Sequence, residues 1–212
     1  MHEGQTEVAS EISFLFREAF RDASTAISRF TGDNLSISVE GVESLDIFRL
    51  QSILSLKEAP FVAIRVELYA DLRGSLLLLL DISTAERIAG CLLNRFGIEP
   101  GEECGPDDIS ETERSVLIET TNIIASKVSS RLSDYLHLNV ALTPPAMIID
   151  MPWSAMQEAF VSALEDTPSL FLVRTRIVSA DGDGLLLFVP DSESYHRIRD
   201  GLIEGGGAVS HD

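Results

Sequence analysis

The strongest structural signal in this chain is a long helix, predicted to begin after Ser110 and to continue to about residue 136. Ser110 and Glu113 have the spacing of a capping box, in which each side chain accepts a hydrogen bond from the other residue's backbone N–H. A helix of this length needs a buried face. One largely apolar stripe recurs at helical spacing, formed by Leu117, Thr121, Ile124, Val128, Leu132 and Tyr135.

The opposite side of this helix carries unusual residues for a solvated surface. Ser115, Glu119 and Asn122 are spaced four and three apart, which places their side chains within an arc of about 60° on one face. Because small residues continue this face where Lys, Glu or Arg would be usual, the backbone of a second protein can approach it closely. These small residues are Ser126, Ser129, Ser130 and Ser133.

Composition limits the classes of partner. Sixteen basic and thirty-four acidic residues in 212 give a formal charge of −18, which disfavours nucleic acid and anionic lipid as partners. Cys91 and Cys104 form no disulfide framework, and neither the cysteines nor the four histidines have metal-ligand spacing, so no metal is expected. The N-terminus lacks the features of a signal peptide, and the leucine run at 76–80 is too short to span a bilayer. We expect a cytoplasmic protein.

The order of predicted elements occurs twice along the chain. The first half contains a helix, a strand, a short helix, two strands joined by a hairpin, and a last helix; the second half repeats this order. The predicted ranges are 8–30, 35–39, 47–54, 61–69, 74–81 and 83–96, then 110–136, 138–143, 154–164, 170–178, 184–189 and 192–203.

Matching residues support an internal repeat. Asn34-Leu35 precedes Asn139-Val140 by 105 residues, and Ala70-Asp71 precedes Ala180-Asp181 by 110. We therefore expect two repeats, 1–105 and 106–212, that together form one compact α+β domain with pseudo-twofold symmetry. Because hairpins outnumber β-α-β crossovers, the sheet should be largely antiparallel, with the two long helices packed on it.

The residues on the outward face of the long helix resemble a known signature. Ser115-x-x-x-Glu119-x-x-Asn122, followed after twenty-two residues by Pro145, is similar to the motif of the CheC, CheX and FliY phosphatases of chemotaxis. With its duplicated architecture the chain most resembles CheC, and the resemblance covers essentially all of it.

The resemblance implies hydrolysis of the aspartyl-phosphate of a CheY-type response regulator in two-component signalling. Asn122 would orient the attacking water, Glu119 would hold the partner through the lysine beside its phosphorylation site, and Ser115 and Pro145 would be supporting positions. The chain itself would need no cofactor, because the response regulator would bind the magnesium ion.

The same signature has lapsed in the first half. Ser10, Phe14 and Arg17 precede Ser115, Glu119 and Asn122 by 105 residues, and they include neither the carboxylate nor the carboxamide. We therefore expect a single active site, in the second half. Thr121 and Ser126 stand where the family usually has glycine, and their bulk could obstruct docking of the regulator.

Two functions stay open at this point. The first is the phosphatase working through Glu119 and Asn122. The second is a non-catalytic adaptor of the same fold that binds CheD, the receptor deamidase, or a component of the motor switch. Phe14, on the outward face of the first helix, is then either an interaction anchor or covered by its own chain. Without the resemblance, a Glu and an Asn three residues apart on an outer helix face would be an ordinary solvated pair.

Overall fold

The computed structural model describes residues 2–31, 36–54, 59–95, 97, 109–151, 170–177 and 181–205. Within these ranges, five helices pack on one seven-stranded sheet. The helices are α1 (His2–Thr31), α2 (Ile47–Leu54), α3 (Ile82–Arg95), α4 (Glu111–Leu136) and α5 (Ser192–Gly205). The strands are β1 (Ile37–Leu45), β2 (Phe61–Ala70), β3 (Gly74–Asp81), β4 (Val140–Leu142), β5 (Ala146–Asp150), β6 (Leu170–Ile177) and β7 (Gly182–Pro190).

The sheet is antiparallel at every pairing of these strands. Its order is β1-β6-β7-β3-β2-β4, and β5 also pairs with β2 beside β4. Each edge of the sheet therefore joins strands from distant parts of the chain, since β1 pairs with β6 and β2 pairs with β4 and β5. The predicted α+β class with a largely antiparallel sheet is confirmed.

Alternate side chains of the central strands enter two different cores. Leu76, Leu78 and Leu80 of β3 face the core formed with α1, α3, α4 and α5, whereas Leu77 and Leu79 face the smaller core under α2. The leucine run at 76–80 exists because a strand covered on both faces has no solvent side that needs polar residues.

Helix α4 begins and ends as its sequence predicts. The Ser110 hydroxyl accepts a hydrogen bond from the Glu113 N–H at 3.3 Å, and the Ser110 N–H donates to the Glu113 carboxylate at 2.9 Å. The helix ends at His137, whose φ of 54° lies in the left-handed region. The predicted inner stripe is buried, apart from half-buried Tyr135, and consists of Leu117, Thr121, Ile124, Val128 and Leu132.

Helices α1 and α4 run antiparallel to each other along the sheet. The Tyr135 hydroxyl donates to the Glu11 carboxylate at 3.0 Å, and Arg131 Nε donates to the Asp22 carboxylate at 2.9 Å. Because the partner number falls on α4 as it rises on α1, the two helices point in opposite directions. Burial, together with the hydrogen bond to Glu11, raises the pKa of Tyr135 above its ordinary value of 10.

Several predicted boundaries are wrong. The strand predicted at 35–39 is β1, Ile37–Leu45, and the strand predicted at 138–143 is shorter and is followed by the unpredicted β5. Helix α3 begins at Ile82 rather than at residue 83, and the Asp81 carboxylate accepts the Thr84 N–H at 2.8 Å. Cys91 is half-buried on α3. The helix predicted at 154–164 lies outside the described residues.

Helices α1 and α4 bury corresponding positions when the chain is shifted by 105 residues. The buried pairs are Ile12 and Leu117, Leu15 and Thr120, Phe16 and Thr121, Ala19 and Ile124, Phe20 and Ala125, Ala23 and Val128, and Ile27 and Leu132. The strand order is also symmetric, since β1 and β4–β5 lie at the edges, β6 and β2 lie next to them, and β7 and β3 meet in the centre. Both observations agree with a duplicated architecture. The boundary between the repeats at 105 and 106 lies outside the described residues, so the division into 1–105 and 106–212 stays a prediction.

Candidate active site

The candidate site lies on the outward face of α4. Ser115 and Glu119 are exposed, and Asn122, one turn further on, is half-buried. Residues three and four apart stack on one side of a helix, so the spacing brings the carboxylate and the carboxamide next to each other. The structure therefore places these three predicted residues on one face, away from the buried stripe.

The polar groups of Glu119 and Asn122 are unpaired within the described part of the chain. Neither side chain makes a hydrogen bond or ion pair with any residue that the structure describes. Glu113, two turns earlier on α4, shows the contrast, because its buried carboxylate accepts from both the Ser110 N–H and the Ser110 hydroxyl. A carboxylate and a carboxamide that no described residue engages can both bind groups of an approaching protein.

Apolar side chains flank this pair. Ile118 and Ile123 are half-buried against the core and lie one helical turn from Asn122 and Glu119 respectively. We call Ile118, Glu119, Asn122 and Ile123 the α4 patch. A partner protein that docks here can pack on the two apolar side chains, which exclude water from around the polar pair. Sequence periodicity identified the polar pair but not the two isoleucines. The signal that could have found them is the four-residue spacing of Ile118 from Asn122 and of Ile123 from Glu119.

The serines that extend this face divide into two groups. Ser126 and Ser130 are exposed, and the Ser130 hydroxyl donates to the Ser126 carbonyl at 2.8 Å. The prediction that Ser129 faces outward is wrong, because it is 6% exposed and its hydroxyl donates to the Val140 carbonyl at 3.2 Å. Ser133 is half-buried, and its hydroxyl donates to the Leu138 carbonyl. The exposed small residues that extend this face are therefore limited to Ser126 and Ser130.

Thr121 points into the molecule rather than towards a partner. It is 3% exposed, its hydroxyl donates to the Leu117 carbonyl at 2.9 Å, and it lines an internal cavity of about 20 Å³ with Phe20 and Thr175. The expectation that bulk at Thr121 obstructs docking is wrong in its geometry. Ser126 does lie on the outward face.

Pro145 lies in the connection between β4 and β5. The preceding Thr143 N–H donates to the Glu67 carbonyl at 3.0 Å, and Arg114 in the first turn of α4 donates to the Met147 carbonyl at 2.9 Å. These two bonds hold the proline segment between β2 and the start of α4. No hydrogen bond of the described residues joins Pro145 to the α4 patch, so its place is at the strand exit.

The positions predicted for a lapsed first site are also on the surface. Ser10 and Arg17 are exposed, and Phe14 is 55% exposed, on the outward face of α1. In the described ranges, no three His, Cys, Asp or Glu side chains are grouped so as to hold a metal ion. Among the helices of those same ranges, none has the length and apolar character that crossing a membrane requires.

No protein-family model matches the chain. Solved structures do match it. FliY from Thermotoga maritima superposes with a TM-score of 0.70 at 18% identity, over 94% of this chain and 97% of that one. A chain of the CheX–CheY–BeF3–Mg complex from Borrelia burgdorferi superposes with a TM-score of 0.53 at 19% identity, over 82% of this chain and 97% of that one. This chain has the CheC/CheX/FliY fold.

A further solved structure with the same fold comes from a complex of two other proteins, FliG and FliM. A chain of the FliG–FliM complex from H. pylori superposes with a TM-score of 0.62 at 13% identity, over 94% of this chain and 99% of that one. The CheC/CheX/FliY fold predicted from the resemblance is thus confirmed as a fold. Identities below 20% do not carry an activity from one protein to another.

Proposed function

We propose that this protein is a chemotaxis phosphatase that hydrolyses the aspartyl-phosphate of a CheY-type response regulator. The observation that carries the proposal is the α4 patch, where the exposed Glu119 carboxylate and the half-buried Asn122 carboxamide lie one turn apart without partners among the described residues. The fold supports it, since a chain that superposes on this one was crystallised in a complex of CheX with CheY, BeF3 and Mg.

The chemistry asks little of the phosphatase itself. Water attacks the phosphorus atom, the bond from phosphorus to the aspartyl oxygen breaks, and the products are a carboxylate and inorganic phosphate. The family resemblance implies that the regulator supplies the metal ion and a lysine, so a correctly placed water is the missing element. Positioning is the main contribution that proteins make to phosphoryl transfer.

Asn122 is suited to this positioning role. Its carboxamide oxygen can accept a hydrogen bond from the water while its NH₂ group donates elsewhere, which fixes the water without a titratable base. Glu119 is suited to binding, because its carboxylate can pair with an ammonium group of the partner. Ser115 and Pro145 act as supporting positions, the first as a small neighbour of Glu119 and the second as a rigid strand exit.

These roles predict different kinetic defects. Replacing Glu119 with Ala should chiefly raise KM, whereas Asn122→Ala should chiefly lower kcat, since anchoring affects binding and water placement affects the chemical step. The experiment measures release of inorganic phosphate over a range of phosphorylated regulator concentrations, with exposed Ser130→Ala as the matched control on α4. Equal effects of Glu119→Ala and Ser130→Ala would contradict the anchoring role.

A second candidate function is a non-catalytic adaptor of the same fold. The superposition on a chain of the FliG–FliM complex, with a TM-score of 0.62, favours it. Such an adaptor would bind CheD or a component of the motor switch such as FliG. Capture of one of these proteins, with no acceleration of phosphate loss from a competent regulator, would favour the adaptor over the phosphatase.

A further inference from the structure

The outward face of α1 differs from the rest of this acidic protein. Between residues 10 and 29, the exposed positions of α1 include none that is acidic, although the chain carries a formal charge of −18. We call this face the α1 ridge. Its members are Ser10, Phe14, Arg17, Arg21, Thr25 and Arg29.

The acidic side chains beside the ridge are already engaged. The Glu11 carboxylate accepts from Tyr135 at 3.0 Å, Asp22 pairs with Arg131, and Glu18 pairs with Arg21. Arg17 makes no hydrogen bond or ion pair with any other described residue. Its guanidinium is therefore available to an anion from outside.

Phe14 adds an apolar contact beside this charge. It is 55% exposed and lies three residues before Arg17, so the ring and the guanidinium share one face of α1. Aromatic residues and arginine are both enriched in protein interfaces.

The two repeats relate this pair to the α4 patch. The same 105-residue shift that superposes the buried positions of α1 and α4 brings Phe14 to Glu119 and Arg17 to Asn122. A partner docked on α1 in the way that it docks on α4 would meet Arg17 where the other site presents a carboxamide.

We propose that the α1 ridge is a second docking site for the phosphorylated response regulator, one that binds without hydrolysis, with Arg17 pairing with the phosphoryl group. The proposal rests on the proposed function, which supplies the partner. A guanidinium forms two parallel, charge-assisted hydrogen bonds to a phosphoryl group. It has no acceptor atom, so it cannot take the hydrogen bond from water that the Asn122 oxygen accepts. The α1 ridge would therefore bind the phosphorylated regulator without removing its phosphoryl group.

The test counts regulator molecules bound per chain. Isothermal titration calorimetry with a CheY-type regulator loaded with BeF3 and Mg should give two sites in the wild type and one in the variant Glu119→Ala/Asn122→Ala. The variant Phe14→Ala/Arg17→Ala should also give one. Arg49→Ala, which removes an exposed charge on α2 at the other face of the sheet, is the control and should keep two.

The contribution of Arg17 alone can be measured in the variant Glu119→Ala/Asn122→Ala, which keeps only the α1 ridge for binding. There, Arg17→Ala should weaken binding of the loaded regulator by about tenfold or more, because a hydrogen-bonded charged pair is worth roughly 1.5–3 kcal/mol. Omitting BeF3 should weaken binding of the regulator to a ridge with Arg17 to the same extent. It should not weaken binding to the Arg17→Ala variant further.

Two outcomes would overturn the proposal. One is a single binding site in the wild type that disappears in Glu119→Ala/Asn122→Ala. The other is binding at the ridge that is unchanged without BeF3, which would show an acidic surface rather than a phosphoryl group as the ligand. A separate decay assay tests the proposed function itself: two sites with no accelerated decay would keep the docking site and reject hydrolysis.

Discussion

Thr121 and Asn122 are adjacent on α4, yet one faces the core and the other faces solvent. The Thr121 hydroxyl donates to the Leu117 carbonyl at 2.9 Å and its side chain is 3% exposed, whereas Asn122 is half-buried and its carboxamide has no partner among the described residues. Thr121 therefore contributes to stability, and Asn122 is available for the candidate chemistry. Substitutions at the two positions should affect different measurements.

Thr121→Gly should lower the free energy of unfolding by roughly 1–2 kcal/mol, from weaker helix propensity and the lost buried methyl group. It should not accelerate loss of phosphate from the regulator, because Thr121 does not face the partner. Urea denaturation and the decay assay measure the two effects. Faster decay with Thr121→Gly would show that this side chain does obstruct docking.

Leu117→Asp and Ile124→Asp should each abolish cooperative unfolding, because both residues are 2% exposed and the new carboxylate would be buried without a partner. Ser126→Asp, at an exposed position of the same helix, is the control and should change stability by less than about 0.5 kcal/mol. Circular dichroism during urea titration measures this. A cooperative transition in either core variant would mean that the helix faces are assigned the wrong way round.

The cap of α3 should make part of the stability depend on pH. Burial alone would raise the pKa of Asp81, but hydrogen bonds from Ser83 and Thr84, with the charge of Arg87, lower it below the ordinary 3.8. Since the folded pKa is depressed, this stability is present above the unfolded pKa and is lost as pH falls through the folded value.

Asp81→Ala should therefore cost about 1 kcal/mol near neutral pH, the usual cost of removing an N-cap side chain. The difference from wild type should shrink as the pH falls below about 4. Urea denaturation of both proteins at several pH values measures it. A difference that stays constant down to about pH 3 would contradict an ionised cap.

Gly74→Ala should be strongly destabilising, by about 3 kcal/mol or more. A Cβ at this position would lie 2.4 Å from the Val189 carbonyl oxygen, and the backbone φ is +151°. Gly90 provides the opposite case, because it is inside helix α3 and a Cβ there would meet nothing within 4 Å. Gly90→Ala should stabilise by roughly 0.5–1 kcal/mol, and thermal melts of both variants would compare them.

Sequence reasoning succeeded where a local pattern determines the structure. The capping box of Ser110 and Glu113 and the inner stripe of α4 are properties of one helix, and both are found as predicted. It failed where distant segments decide. Strand β5 follows two prolines that indicate a strand end, and it forms because β2 offers residues 61–65 as a further pairing edge. Ser129 is buried because the Val140 carbonyl lies within reach of its hydroxyl.

The candidate site shows the same division. Helical spacing alone put Ser115, Glu119 and Asn122 on one face, and the structure agrees. The inner stripe placed Thr121 correctly, but the expectation that its bulk obstructs docking, drawn from a family glycine, is wrong because its side chain is buried beside an internal cavity. The partner's contribution to the chemistry lies outside this chain, so no pattern within it can reveal the regulator's identity.

The most direct test is the decay of a phosphorylated CheY-type regulator with no addition, with the wild-type protein and with Asn122→Ala. We expect the wild type to accelerate decay and Asn122→Ala to remove most of that acceleration, while its free energy of unfolding stays within about 0.5 kcal/mol of wild type. Equal decay with and without the wild-type protein, for a regulator shown to be competent, would contradict the proposed phosphatase.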